Sequence, residues 1–177
     1  GILDYTRNAH TEMLAHPALG KTIPAMGSTP SVAGNNALGI LGTRNWQEET
    51  FADAELISGK DIEAKGMRVG HKACANYIAC SAIIWEAQGT EFKGIRSRGP
   101  EYETLYSFGS LVGNNNADSI VVADKISDEL GLDTISAGVA IAFLMECVEK
   151  GIVRQADLDV EDVRFGNYNA MLTLIKK

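Results

Sequence analysis

The chain has 177 residues, a formal net charge of −7, 45% hydrophobic and 22% charged residues. That length and balance suit one globular domain with a real core. The negative charge excludes broad phosphate binding, so no nucleic-acid partner is expected. The longest uncharged apolar run, 134–145, is too short to span a bilayer, so no membrane partner is expected either.

Residues 1–19 read as helical, with Ile2, Tyr5, His10, Met13 and Leu14 along a loose apolar stripe. His10 and His16 have no Cys or His at metal-ligand spacing and read as surface or cap residues. Residues 20–27 read as a loop. Ser28-Thr29-Pro30 announces a helix, with a hydroxyl cap and a first-turn proline. It would carry Val32, Ala33, Ala37, Leu38 and Leu41 and stop at Gly42. The polar run Thr43-Arg44-Asn45-Trp46-Gln47 either lines a pocket or packs as a surface loop.

Residues 48–66 are acidic, with short helices expected at 51–57 and 60–65 and Ser58 as a cap. Cys74 and Cys80 follow, six residues apart. As local chemistry, such a pair reads first as small buried hydrophobes. The third cysteine, Cys147, lies in an apolar helix and reads as packing. An odd cysteine count without a visible secretory signal suggests a reducing compartment, hence a cytoplasmic location.

Residues 81–98 alternate loosely, and Gln88-Gly89-Thr90 suits the turn of one short hairpin. It is the only β-structure expected in a mainly α chain. Gly99-Pro100-Glu101-Tyr102-Glu103-Thr104 reads as a helix start, with proline and then acids in the first turn. Glu101 and Glu103 have that structural explanation. As residues i and i+2 they cannot share a helix face, so only one of them can also serve a site from a helix. The helix would run on to Val112 and end at Gly113-Asn114-Asn115-Asn116, with Asn116 capping the next one.

Two long helices are expected at 117–130 and 135–148, the second apolar on nearly every side and therefore buried. The corner between them is Asp128-Glu129-Leu130-Gly131-Leu132-Asp133-Thr134. Gly131 suits a left-handed helix stop, and Asp133 or Thr134 suits the next N-cap. Asp128 sits where the helix dipole disfavours a carboxylate, which a cationic or N–H-rich partner would offset. Residues 156–162 form an acidic patch without an EF-hand pattern, read as solvated loop or short helix. A last helix is expected over 166–177. No Walker loop or Gly-x-Gly-x-x-Gly is present.

Gly-Pro-Glu-Tyr-Glu-Thr at 99–104 together with Asp-Glu-Leu-Gly-Leu-Asp-Thr at 128–134 resembles the tungsten-containing aldehyde ferredoxin oxidoreductase family. Gly42-Thr43-Arg44-Asn45-Trp46 and Ile57-Ser58-Gly59 read like its middle region, and the likeness runs from about Gly20 to the end. The resemblance implies the middle helical domain of that enzyme: 1–177 as a single helical domain, a fragment lacking an N-terminal pterin-cradling β domain and a C-terminal domain. It implies oxidation of aldehydes to carboxylic acids on a tungstopterin (or molybdopterin) cofactor beside a 4Fe-4S cluster, with electrons passed to ferredoxin. Asp128, Gly131, Leu132 and Asp133 would hold a pterin. Glu101 or Glu103 would handle protons. Cys74 and Cys80 would ligate the cluster, although the family's Cys-x-x-Cys-x-x-x-Cys run is broken, with Tyr77 where a Cys-Pro pair is expected. The implied partners are ferredoxin, a small aldehyde, the missing domains and a second copy of the chain. The isolated chain is expected to be inactive. The alternative is a non-catalytic helical scaffold that has lost its metals.

Overall fold

A computed structural model describes residues 1–72 and 80–177. The architecture is mainly helical, as expected. Helix α1 (Ile2–Ala15) leads into a π-helical turn (Ala18–Thr22) and α2 (Ile23–Met26). The expected loop over 20–27 is thus mostly helical. Leu14 explains one constraint there, because a Cβ on Gly20 would strike its backbone carbonyl. No residue of α1 is buried, so its apolar stripe stays in solvent.

Helix α3 (Ser31–Ala37) starts after Pro30, and Ser28 does not cap it. A 3₁₀ turn (Ala54–Ile57) and α4 (Gly59–Ala64) follow. The expected hairpin is a three-stranded antiparallel sheet in the order β1–β2–β3, formed by Arg68–His71, Ile83–Glu86 and Arg96–Ser97. Trp85 pairs with Arg68 on one side and with Ser97 on the other. The extra strand, β1, has mostly exposed side chains and no alternating pattern, so its sequence carries little strand signal. The turn between β2 and β3 closes at Gly94 (φ 87°) rather than at Gln88-Gly89-Thr90.

Helix α5 (Tyr102–Ser107) begins two residues later than its proline suggests, so Pro100 precedes the helix. A 3₁₀ turn (Ser110–Val112) leads to α6 (Ala117–Leu130), capped by Asn116, whose side chain accepts from the Ser119 N–H at 3.0 Å. Helix α7 (Thr134–Glu149) and α8 (Tyr168–Ile175) complete the set. One core gathers Leu41, Ile57, Trp85, Phe108, Ile120, Met145 and Met171, all from segments after α2.

Helix α7 departs from expectation. It is not a buried helix. Ile135 and Val139 are exposed, and Phe143 is 62% exposed. Only Gly138, Ile141, Ala142, Met145 and Cys147 are buried. Gly138 sets how close it comes: a Cβ there would sit 2.6 Å from the Ser107 Cβ of α5. The other end of α7 is held by the polar run around Trp46. Asn45 Nδ2 donates to Glu146 Oε2 at 2.5 Å, Gln47 Nε2 to Glu149 Oε2 at 3.0 Å, and Arg44 pairs with Glu149. These donors offset carboxylates at the negative end of the helix dipole. Arg44, Asn45 and Trp46 all take positive φ to reach it.

Among the described residues, no single helix is long and apolar enough to cross a membrane. The acidic stretch at 156–162 pairs with Arg154, Arg164 and Lys177.

Candidate functional site

The two signature stretches of the sequence meet in space. Thr104, last residue of the first, and Thr134, last residue of the second, share a hydrogen bond between their hydroxyls at 2.9 Å. Helices α5 and α7 pack against each other around this contact.

Glu101 stands just before α5, and its partner comes from far away in sequence. Ser28 Oγ donates to Glu101 Oε2 at 2.5 Å, the Ser28 N–H approaches the same oxygen at 3.4 Å, and the Tyr102 N–H donates to Ser28 Oγ at 2.8 Å. Gly27 makes room for this carboxylate. It has φ 61°, and a Cβ there would meet the Ser81 carbonyl at 2.9 Å and Glu101 Oε2 at 3.4 Å. Glu103, two residues on, is exposed. The two acids therefore divide, Glu101 at the extended N-cap turned toward Ser28 and Glu103 on the helix turned to solvent.

Beneath the junction lies an acid that the sequence reading did not single out. Asp124 of α6 is only 8% exposed. Ser97 Oγ donates to its Oδ2. Burial pushes its carboxyl up to about 6, against lowering by the Ser97 hydroxyl. The charges of Asp128 and Glu101 raise it further, and the nearby Thr104 hydroxyl lowers it. Gly99 allows this packing, since a Cβ there would lie 2.9 Å from Asp124 Oδ2. One signal was available: Asp124 and Asp128 are four apart, so they share one face of their helix. Nothing local could have linked Glu101 to Ser28, which lies 73 residues earlier.

At the corner, Gly131 adopts φ 69° and ends α6, and the Leu132 N–H returns to the Ser127 carbonyl at 2.9 Å. This is the left-handed stop expected of it. Asp133 caps α7, accepting from the Ser136 N–H at 2.7 Å, and the Ser136 hydroxyl and then this N–H hold its carboxyl below the usual range. Asp128 and Leu132 are exposed. Asp128 borders an open cleft of about 140 Å³ with Ile84, Arg96, Ser97, Arg98 and Lys125. Cys80 is buried, with Sγ 3.0 Å from the Lys72 carbonyl oxygen. Cys74 lies outside the described residues. Among the described residues, no group of three or more His, Cys, Asp or Glu side chains is placed to hold a metal ion.

Known proteins match this chain across nearly its whole length. The family described as aldehyde ferredoxin oxidoreductase, domains 2 and 3, matches residues 4–177. A tungsten-containing aldehyde ferredoxin oxidoreductase of Pyrococcus horikoshii is 32% identical over 99% of this chain and 29% of its own length. One of Pyrococcus furiosus is 33% identical over 91% of this chain and 26% of its own. An aliphatic sulfonate oxidoreductase, WOR-like subunit, also of Pyrococcus furiosus, is 33% identical over 75% of this chain and 21% of its own length. The chain thus spans less than a third of the curated relatives it matches. With its mainly helical architecture and both signature stretches in contact, the chain belongs to the aldehyde ferredoxin oxidoreductase family.

Proposed function

We propose that this chain supplies the cofactor corner and a proton-handling carboxylate of an enzyme that oxidises aldehydes to carboxylic acids. The observation that carries the reading is the Thr104–Thr134 contact. It sets Glu101, Asp128 and the corner around a single buried acid.

The corner fits a pterin in part. A Cβ on Gly131 would meet nothing within 4 Å, so the backbone there is open to a flat ring. The exposed Asp128 is free to accept N–H groups from such a ring, and Leu132 offers an apolar face. Asp133 serves less well, because one of its oxygens is already used in capping. When bound, the tungsten or molybdenum pterin supplies the two-electron redox chemistry. The chain's own residues bind, orient and move protons. Aldehyde plus water gives acid, two protons and two electrons, and Glu101, held by Ser28, is the group placed to take a proton. Glu103 faces outward and is the poorer candidate.

The residues do not by themselves fit a 4Fe-4S cluster. Cys74 and Cys80 number two where four thiolates are needed, and Cys80 is disulfide-bonded here rather than a thiolate, so no electron step is derived through them. Ferredoxin as acceptor and a cytoplasmic setting follow from the family reading.

We assign 1–177 as one helical domain and place the rest of a longer enzyme against α7. Leu132, just before that helix, and Ile135, Val139 and Phe143 on it form an exposed apolar face of the kind that marks an interface. The same face favours the second reading, a non-catalytic scaffold, with a second copy as another occupant.

The test is aldehyde-dependent dye reduction, together with tungsten, molybdenum and iron analysis. The 177-residue chain alone is expected to reduce no dye. The longer polypeptide produced with tungstate or molybdate is expected to hold metal and turn over. A longer polypeptide that folds, holds no metal and oxidises no aldehyde leaves the scaffold reading.

A further inference from the structure

We infer that Ser28 is a positioning residue for Glu101: its hydroxyl, oriented by the Tyr102 N–H, engages Oε2 and leaves Oε1 as the oxygen that takes the proton. The inference rests on the oxidoreductase reading for its catalytic meaning, but the hydrogen-bond arrangement is a property of the chain itself.

The direction of each bond follows from what each group can do. An amide N–H only donates, so Ser28 Oγ accepts from Tyr102 at 2.8 Å. A hydroxyl has one proton, and that of Ser28 goes to Glu101 Oε2 at 2.5 Å. The Ser28 N–H approaches the same oxygen at 3.4 Å. Oε2 thus faces two donors, while Oε1 accepts from no described residue. A proton on Oε1 leaves all these bonds in place. A proton on Oε2 would turn the Ser28 hydroxyl away from its acceptor and set an N–H against an O–H, and leaving such donors unmatched is costly.

The surrounding backbone is arranged for the same contact. Glu101 is the N-cap of α5, yet its side chain makes no cap bond. Ser28 satisfies the first N–H of the helix instead, from 74 residues away in sequence. Gly27 brings Ser28 in with φ 61°, and a Cβ there would lie 2.9 Å from the Ser81 carbonyl oxygen. Glu101 itself is half-buried rather than enclosed. When aldehyde and water give an acid, one released proton goes to Oε1, the other to solvent, and both electrons to the tungsten or molybdenum pterin.

The test is difference infrared spectroscopy of the 177-residue chain on acidification, over the range in which circular dichroism shows it folded. The C=O stretch of protonated Glu101 is identified by its loss in Glu101→Gln. A carbonyl that accepts hydrogen bonds absorbs at lower wavenumber. Ser28→Ala is therefore expected to move the band to higher wavenumber, and Ser28→Thr, which keeps the hydroxyl, to leave it at the wild-type position. If Ser28→Ala does not fold, Ser28→Cys takes its place, because a thiol is only a weak donor. An unmoved band in the variant lacking the hydroxyl, or an equal shift in Ser28→Thr, overturns the proposal. In the longer, cofactor-loaded enzyme the loss of the hydroxyl is expected to lower kcat about tenfold with KM little changed. An unchanged kcat in an active enzyme also overturns it. The expected band shift in an enzyme that oxidises no aldehyde removes the function and leaves the hydrogen-bond arrangement. An active enzyme with an unmoved band does the reverse.

Discussion

Helices α6 and α7 are neighbours of similar length with opposite relations between composition and burial. Helix α6 carries five charged residues, yet eight of its 14 positions are buried. Helix α7 carries two charged residues, yet only five of its 16 positions are buried. Burial therefore follows the partners that surround a helix, not its apolar content. Helix α6 is enclosed by β2, β3, α5 and α8, whereas α7 meets α5, α8 and the 3₁₀ turn on one side. The asymmetry has a consequence for function. The more enclosed helix keeps an acid in its interior, and the more apolar one leaves Ile135, Val139 and Phe143 exposed.

The contrast is sharpest under mutation. Ile120 of α6 is fully buried, so Ile120→Ala is expected to cost about 2–5 kcal/mol in chemical denaturation of the chain. Asp124→Asn should give the next largest effect, and it should depend on pH. The folded-state carboxyl titrates above its unfolded value, from 3.8 to about 6. Its contribution is fully present below the lower value and is lost as pH rises through the upper one. Two units correspond to roughly 3 kcal/mol at most. Wild type should therefore lose stability relative to Asp124→Asn across that window. Asp133 has the opposite sign, because its depressed carboxyl adds stability that disappears on acidification.

Gly138→Ala tests the closed side of α7. Helix propensity alone would favour alanine, but the approach to Ser107 leaves no room for a Cβ. A net loss of about 1–3 kcal/mol is expected. Phe143→Ser tests the open side and should change the stability of the chain by no more than about 0.5 kcal/mol. A loss above about 2 kcal/mol there would mean that the chain covers this face itself and would break the comparison.

Much of the fold was legible because its signals were local. Asn116, Gly131 and Asp133 act at the helix ends as their chemistry predicts. The long helices were recovered nearly to the residue. What was missed depends on distant partners. The exposure of Ile135 and Phe143 depends on which neighbours enclose α7, and an apolar stretch does not reveal that. Strand β1 exists because β2 pairs with it. In the site, Glu101 and Asp128 were visible as members of two signatures, but Asp124 and Ser28 gain meaning only through three-dimensional contacts.

The central claim, that the α6–α7 corner grips a metal-bearing pterin, is tested most directly through Asp128. It is exposed and lies outside the core, so Asp128→Ala should leave the fold intact. In the longer polypeptide carrying this chain, the account predicts that Asp128→Ala is purified folded but depleted of pterin and of tungsten or molybdenum, by at least tenfold if the lost contact is worth about 1.4 kcal/mol or more. Full retention of pterin and metal by that variant would contradict it.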